Sequence, residues 1–269
     1  MPDDTALSRG RRPYRSTLRE ERARETRYRL TDAAAMHFLE AGYASTSLAA
    51  VAGTAGVSVD TIYKTFGSKI ALLKEVLDVT IGGDDLEVPL LERAGPQALR
   101  QETDQRVQVA MLAAAVTGQL ERLRPLDDIL RSAAAVDSEA ANLRKDIQVR
   151  QRRMAMRAIV GWIAARGPLR KGLTITRAAH VVWTLTSPEV HLMMRDTGGW
   201  SETAYREWLE DAIADGILGT ARSDPWTTWP TNARTSHQRP SRLRDTPPCG
   251  GMRRGLAPGL WSARRLTVR

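Results

Sequence analysis

Polar side chains able to bind a polyanion are concentrated between residues 46 and 69. Hydroxyl, phenol, carboxylate and ammonium groups are the ones with which proteins contact phosphate oxygens and base edges. The candidate contact residues of this segment are Thr46, Ser47, Ser58, Val59, Asp60, Thr61, Tyr63, Lys64, Ser68 and Lys69. Their types favour noncovalent recognition of a nucleic acid over a covalent reaction.

The elements that would position these groups are two short helices joined by a glycine turn. Residues 47–55 place small and apolar side chains on one helical face. Gly56 can adopt a positive φ, and Ser58 is a good N-cap for a helix over 59–66 that Gly67 ends. This is the helix-turn-helix pattern, whose second helix enters the DNA major groove.

In that second helix, the residues on the leading face are predicted to reach base edges. Lys64 can donate to guanine acceptors or to phosphate, and Thr61 can offer its methyl to thymine or its hydroxyl to a base or phosphate. Asp60 could accept from cytosine N4, or it could extend the helix cap and repel wrong contacts; both interpretations stay open. Val59 lies beside them on the same leading face.

Helix N-termini supply a second set of expected phosphate contacts, because their free N–H groups favour an anion. Ser68 and Lys69 begin one helix, and Thr46 and Ser47 begin another. For Thr46, Ser58 and Ser68 the alternative is capping alone, worth about 1 kcal/mol each. The two roles are compatible.

These residues resemble the DNA-binding domain of the tetracycline-repressor (TetR) family. The family motif is represented by Thr46, Val51-Ala52, Ala55-Gly56-Val57-Ser58, Thr61, Tyr63, Phe66, Lys69 and Leu72. Val51 replaces the usual isoleucine, and Gly53 lies inside a helix, where glycine costs about 1 kcal/mol relative to alanine. By resemblance, the phenol of Tyr63 contacts phosphate.

The resemblance is strong over residues 20–80, is weaker up to residue 219, and does not cover 220–269. The segments 183–190, 199–201 and 205–209 look like the end of an actinobacterial-type subgroup. The resemblance implies an all-α fold of about nine helices: an N-terminal three-helix helix-turn-helix DNA-binding domain, then a helical ligand-binding and dimerisation domain.

Four regions are predicted along the chain: a flexible Arg-rich arm (1–17), the helix-turn-helix domain (18–81), the effector-binding and dimerisation domain (82–219), and a disordered Arg/Pro-rich tail (220–269). Helices are expected over 18–41, 47–55, 59–66, 68–81, 97–123, from Pro125 to 136, 138–166, 175–186 and from 202 onward. Pro125 is expected to break a helix, Ser138 to cap one, and His37 to pack in the core.

Composition narrows the class of protein. The formal net charge is +9, but the tail holds ten arginines and two aspartates, so the other 219 residues carry only +1. Local pattern, and not bulk charge, must therefore support nucleic-acid binding. The one cysteine, Cys249, excludes an intrachain disulfide. No run reaches the roughly 18 apolar residues that span a bilayer, so a soluble cytoplasmic protein without a membrane partner is expected.

The resemblance implies a homodimer and an effector pocket. Interface candidates, which the sequence does not separate from the chain's own core, are Val181, Leu185, Trp208, Leu209, Ala212 and Ile213, with Val182 and Ile217 also available. Pocket candidates, for which ordinary core packing is the alternative, are Met111, Ala115, Met154, Ala158, Trp162, Trp183 and Met193. Methionine and tryptophan suit an apolar or aromatic small-molecule effector.

The predicted function is a regulator, acting as a repressor that an effector releases from a palindromic operator on double-stranded DNA. An enzyme is disfavoured, because His37, His180 and His191 form no i, i+4 ligand pair and no Gly-rich phosphate loop precedes a lysine; no cofactor or metal is expected. The alternative is a helical protein-interaction module with a degenerate helix-turn-helix, which Asp60 and Gly53 leave open.

Overall fold

The computed structural model describes residues 14–83 and 88–218, with side chains from residue 19 onward. Over these residues the fold is helical throughout, without strands, which confirms the all-α prediction. The helices are α1 (Tyr14–Ser45), α2 (Leu48–Ala55), α3 (Val59–Phe66), α4 (Lys69–Gly82), α5 (Ala94–Gln101), α6 (Gln105–Ala134), α7 (Ser138–Lys145), α8 (Arg152–Ala164), α9 (Ile175–Leu185), α10 (Pro188–Leu192) and α11 (Glu202–Ile217). Short 3₁₀ and π turns lie at Leu90–Glu92, Asp146–Gln151 and Met193–Thr197. The tail 220–269 and residues 1–13 of the arm lie outside this description.

Helix α1 is longer than the sequence predicted, since it begins at Tyr14 and continues past Gly42. Gly42 still interrupts it, with φ 74° and ψ 172°, so the final turn is set at an angle to the rest. Only a residue without a Cβ takes this conformation readily. The kink decides where the last residues of α1 point, which matters for the candidate site.

Pro125 does not break a helix, contrary to the prediction. Helix α6 runs through it, because Pro125 lies on an exposed side while Leu123 and Leu126 are buried next to it. Packing on the buried side outweighs the one hydrogen bond that proline cannot donate. The break occurs earlier, where the Asp104 carboxylate caps α6 by accepting from the N–H groups of Arg106 and Val107.

The helix predicted over 138–166 is found, with one corrected cap and one feature that was not predicted. Its N-cap is Asp137, whose carboxylate accepts from the N–H groups of Glu139 and Ala140, and not Ser138. The helix then passes through a π turn at Asp146–Gln151 before continuing as α8. A π turn inserts an extra residue into the helical repeat, and no local sequence signal had indicated it.

The buried side chains form two hydrophobic clusters. The first joins α1–α4 to the second half of α6 and to α7, through Leu123, Leu126 and Leu130 of α6. The second holds α5, the first half of α6, α8, α9 and α11 together, with Tyr205 and Leu209 at its centre. The helix-turn-helix core is therefore continuous with part of the helical region that follows it.

A polar layer crosses the second half of the fold. The Arg152 guanidinium donates to the carbonyls of Trp183 and Thr186 at 3.0 and 2.8 Å, and to the Gln148 side chain at 3.1 Å. Burial lowers the pKa of Arg152 to about 10, so it stays charged at neutral pH. Burial also raises the pKa of Asp127, which accepts from the Gln148 amide at 3.0 Å.

His191 gives the stability of the fold a predicted dependence on pH. Its ring is buried and its Nε2 lies 3.0 Å from a Glu121 oxygen. Burial lowers the pKa of His191 from 6.5, against the opposing hydrogen bond to Glu121. A group with a depressed folded pKa contributes stability that is lost as pH falls. We expect the free energy of unfolding, followed by urea titration, to fall below about pH 6.5.

His191→Gln should reduce this loss of stability at acid pH. His180→Gln, on an exposed part of α9, is the matched control and should leave the loss unchanged. Glu121 adds a loss of the same sign at lower pH, because its hydrogen bond from Arg195 lowers its pKa. A His191→Gln profile that superimposes on the parent's above pH 5 would contradict the assignment.

Candidate nucleic-acid interface

The turn between α2 and α3 has the geometry that its sequence predicted. Gly56 is left-handed, with φ 66° and ψ 38°, and its N–H reaches the carbonyls of Ala52 and Gly53. The Val57 N–H donates to the Ala52 carbonyl at 3.0 Å, and the Val57 side chain packs on the first cluster. The turn is thereby held by backbone hydrogen bonds and by the packing of the Val57 side chain.

Helix α3 is anchored by one face and presents the other. Ile62 is fully buried, and Val59 and Phe66 pack beside it on the first cluster. Asp60, Tyr63 and Lys64 are exposed. A helix held through its apolar face, with polar groups outward, is the arrangement that major-groove reading requires.

The N-cap of α3 uses the residue that the sequence indicated. Ser58 Oγ accepts from the Thr61 N–H at 3.2 Å and lies 2.9 Å from Thr61 Oγ1. The Thr61 hydroxyl thus takes part in the cap, and its methyl is available to a thymine. Val59, which the sequence placed on the leading face, is partly buried against the core.

Asp60 and Lys64 form an ion pair across one turn of α3. Lys64 Nζ lies 2.6 Å from Asp60 Oδ2, and the side chains are 75% and 69% exposed in the order Lys64, Asp60. The two charges neutralise each other on the exposed face. Next to them the Tyr63 side chain is 54% exposed, so its phenol projects from the same helix into solvent.

The predicted cap of α4 at Ser68 is found, and the cap of α2 is corrected from Thr46 to Ser47. Ser47 Oγ accepts from the Ala50 N–H at 3.1 Å, and Ser68 Oγ accepts from the Ala71 N–H at 3.2 Å. Thr46 is not a cap, because its hydroxyl points back into the protein. It donates towards the Gly42 carbonyl at 2.8 Å and the His37 carbonyl at 2.9 Å, and the residue is buried.

Lys69, the first residue of α4, rests against the kinked end of α1. Its Nζ lies 4.6 Å from the centre of the Tyr43 ring and donates to the Ala44 carbonyl at 3.3 Å. Burial lowers the pKa of Lys69, while the charge of Asp137 opposes the shift. The kink at Gly42 brings Tyr43 and Ala44 next to Lys69, and the residue spacing within the motif did not predict these contacts.

A second unpredicted contact joins α1 to the helices after it. The Arg27 guanidinium donates to both carboxylate oxygens of Glu75, at 2.7 and 2.5 Å, and lies 5.0 Å from the centre of the Phe66 ring. Arg27 and Glu75 are 48 residues apart, so local patterns carry no signal for the pair. The contact fixes the C-terminal end of α3 against α1 and α4.

His37 was expected in the core and is found at the surface of α1. Its Nε2 lies 2.8 Å from the Thr54 hydroxyl of α2, and its side chain is only partly buried. On α1, His37 lies at the edge of the buried face, and the sequence pattern alone does not distinguish the edge of that face from its centre. His37 links α1 to α2 rather than filling the first cluster.

The seven predicted pocket residues do not share one environment. Ala115, Met154 and Met193 are exposed in the single chain, with Met154 67% exposed. Met111, Ala158, Trp162 and Trp183 are partly buried. The Trp183 N–H already donates to the Gln148 carbonyl at 2.9 Å. A small cleft between α6 and α10 is lined by none of the seven.

The predicted interface residues divide into two groups. Leu209 and Ile213, as well as Val182 and Ile217, are fully buried inside the chain and belong to its own core. Val181, Leu185, Trp208 and Ala212 remain partly accessible on α9 and α11. The sequence could not separate the groups, because the same apolar spacing serves both purposes.

Comparison with known proteins gives the helix-turn-helix its family. Residues 30–76 match the model described as bacterial regulatory proteins, tetR family. Residues 30–76 form a TetR-family N-terminal domain. The matched range begins in α1 and ends in α4, so the TetR-family domain contains the cap of α3, the glycine turn and Lys69. No curated protein matches the chain significantly by sequence.

Solved structures share the fold over both halves of the described chain. A protein described as a TetR-family transcriptional regulator from Mesorhizobium loti is 19% identical, with a TM-score of 0.58 over 72% of this chain and 96% of that one. A counterpart from a Rhodococcus species is 18% identical, with a TM-score of 0.55 over 72% and 98%. NalD of Pseudomonas aeruginosa, the secondary repressor of the MexAB-OprM multidrug efflux pump, is 23% identical, with a TM-score of 0.55 over 74% and 98%. The chain therefore has the fold of TetR-family regulators. None of its described helices is long and apolar enough to cross a membrane.

Proposed function

We propose that the protein is a cytoplasmic, sequence-specific DNA-binding transcriptional regulator without enzymatic activity. The observation that carries the proposal is α3 itself, anchored by the buried Ile62 and presenting Asp60, Tyr63 and Lys64 to solvent within a TetR-family N-terminal domain. Bases are contacted from α3, and phosphates from the capped N-termini of α2 and α4 at Ser47 and Ser68.

The test is an electrophoretic shift with the full chain and duplex fragments from the region upstream of its own gene. The proposal expects a retarded band that specific competitor duplex removes and random duplex does not. Failure to bind any fragment at low salt would favour the alternative, a helical protein-interaction module whose helix-turn-helix no longer binds DNA.

Lys69 and Tyr63 are expected to contribute affinity without sequence preference. Lys69→Ala should weaken binding to all duplexes and reduce the slope of log affinity against log salt by about one unit for each bound protomer, because each loses one phosphate contact. Tyr63→Phe should weaken binding to all duplexes and leave that slope unchanged, because it removes a hydrogen bond and no charge. Fluorescence anisotropy at several salt concentrations measures both. Two variants as tight as the parent would refute these roles.

Tyr43 is expected to act through Lys69. Tyr43→Leu removes the ring below the ammonium and should weaken binding roughly 2- to 5-fold, the range of a cation–π contact at an exposed site. Tyr43→Phe retains the ring and is the matched control, expected to bind like the parent. In a Lys69→Ala background the Tyr43→Leu effect should disappear, which anisotropy titration of the double variant would show; an undiminished effect would place Tyr43 in another role.

We further propose a homodimer on a palindromic operator. One module contacts too little DNA for tight specific binding, and two copies on a twofold axis read two half-sites about 34–36 Å apart or a multiple of it. The partly accessible Val181, Leu185, Trp208 and Ala212 supply the interface on α9 and α11. The segments 183–190, 199–201 and 205–209 resemble the end of actinobacterial-type regulators, and on that resemblance we propose assignment to this subgroup.

Regulation is proposed to be repression relieved by a small-molecule effector with an apolar or aromatic body. An effector that prefers the conformation unable to bind DNA must weaken DNA affinity by the same factor. The second cluster supports such a site, because among the described residues Gln108 Oε1, Thr117 Oγ1 and the Tyr205 hydroxyl are buried polar atoms without a protein partner. A ligand that reaches these atoms would satisfy groups that are otherwise unfavourable to bury. A thermal-shift screen, followed by shift assays with each hit, tests this.

A further inference from the structure

The Asp60–Lys64 ion pair lies on the exposed face of α3, and the anchoring of the helix does not explain it. Both side chains stand in solvent, where such pairs contribute little to stability. We propose that Asp60 and Lys64 act as one unit that reads a G·C base pair in the major groove. The inference rests on the proposed DNA binding and deepens it, since it names the base pair that α3 selects.

The geometry of the ion pair matches one edge of that base pair. Lys64 Nζ and Asp60 Oδ2 place a donor 2.6 Å from an acceptor. In a G·C pair, guanine O6 and cytosine N4 are joined by a hydrogen bond, so an acceptor and a donor lie about 2.9 Å apart, the usual N–H···O length. The ammonium can therefore meet O6 while the carboxylate meets the N4 amino group.

The neighbouring atoms in the groove select G·C over A·T. An A·T pair also presents a donor beside an acceptor, at adenine N6 and thymine O4. There, however, the carboxylate of Asp60 would lie next to the adenine N7 lone pair, and the ammonium of Lys64 next to the thymine methyl. At G·C the ammonium gains guanine N7 as a second acceptor, so both charges are favourably placed.

The rest of α3 leaves the pair available for this contact. Ile62 is buried on the opposite side and sets the rotation of the helix. The Thr61 hydroxyl lies 2.9 Å from Ser58 Oγ, within the cap of α3. Because Asp60 and Lys64 together are neutral, their contribution is base selection and not attraction to phosphates. Their removal should consequently alter sequence preference and leave the salt dependence unchanged.

The test is selection from a random duplex library with the full chain, followed by competition titrations. The parent should enrich duplexes with G·C at one fixed position in each half-site and prefer it to A·T there by about 10-fold, as one well-placed base contact allows. Asp60→Asn/Lys64→Gln should reduce that preference to within about 2-fold, with the salt slope and the other positions unchanged. Lys64→Arg keeps the charge and the donors and should retain the preference.

The outcomes separate the two proposals. If the double variant keeps the same preference at every position, the base-reading unit is wrong while DNA binding stands. If the double variant does not fold, Asp60→Asn alone decides: the preference should move towards A·T, because an amide can bond adenine N6 and N7, and an unmoved preference overturns the inference. A parent chain that enriches no duplex overturns both proposals.

Discussion

Arg152→Ala is expected to lower the free energy of unfolding by about 2–4 kcal/mol. The guanidinium of Arg152 donates to the carbonyls of Trp183 and Thr186, and its removal leaves both acceptors with an unmet hydrogen bond in a half-buried layer. An unsatisfied buried polar group costs about 1–3 kcal/mol. The loss should be visible as a lower midpoint in urea unfolding at neutral pH, with an unchanged dependence on denaturant concentration.

Arg153→Ala is the control for that experiment. Arg153 is the next residue on α8, is exposed, and has its guanidinium 3.2 Å from the His180 ring. Exposed substitutions away from special features change stability by about 0.5 kcal/mol or less. Equal destabilisation by the two variants would mean that the helix propensity of α8, and not the carbonyl contacts of Arg152, dominates.

Ile62→Ala is expected to lower the free energy of unfolding by about 2–5 kcal/mol, the range for a large aliphatic side chain removed from a packed core. Ile62 is fully buried and is the central apolar contact of α3 with the first cluster. DNA affinity should fall in parallel, because a loosened α3 is no longer held at a fixed rotation. Urea unfolding and anisotropy titration on the same sample measure the two effects.

Ile175→Ala supplies the comparison for Ile62. Ile175 begins α9 and is 41% exposed, so its truncation should change stability by about 0.5 kcal/mol or less. A small effect at Ile62, similar to that at Ile175, would show that α3 is less firmly packed than its burial indicates.

The helix-turn-helix could be predicted from sequence because local rules decide it. Ser58 as a cap, Gly56 in the left-handed region and the bounds of α3 follow from residue types a few positions apart. The caps Ser187 and Ser201, with Pro188 at the start of α10, follow from the same local rules. In these places propensity and packing agree.

Elsewhere the outcome depended on packing between distant segments. Pro125 was tolerated because the buried leucines beside it keep α6 packed and continuous, and no local sequence pattern indicates that packing. Thr46 turned inwards because carbonyls of α1 lie within reach of its hydroxyl. The contact between Lys69 and Tyr43 depends on the kink at Gly42, whose direction no residue pattern predicts. The effector pocket stays a prediction, since apolar periodicity marks a buried face without showing whether a space lies behind it.

The first hydrophobic cluster places a restriction on protein engineering. Because α1–α4 share their apolar interior with Leu123, Leu126 and Leu130 of α6, a chimera spliced after α4 would have to supply equivalent leucines from its new host. A splice that carries the second half of α6 along with α1–α4 would keep that interior whole. Exchange of the α1–α4 domain between such chains should therefore succeed mainly where the long helix of the recipient carries leucines at the equivalent positions.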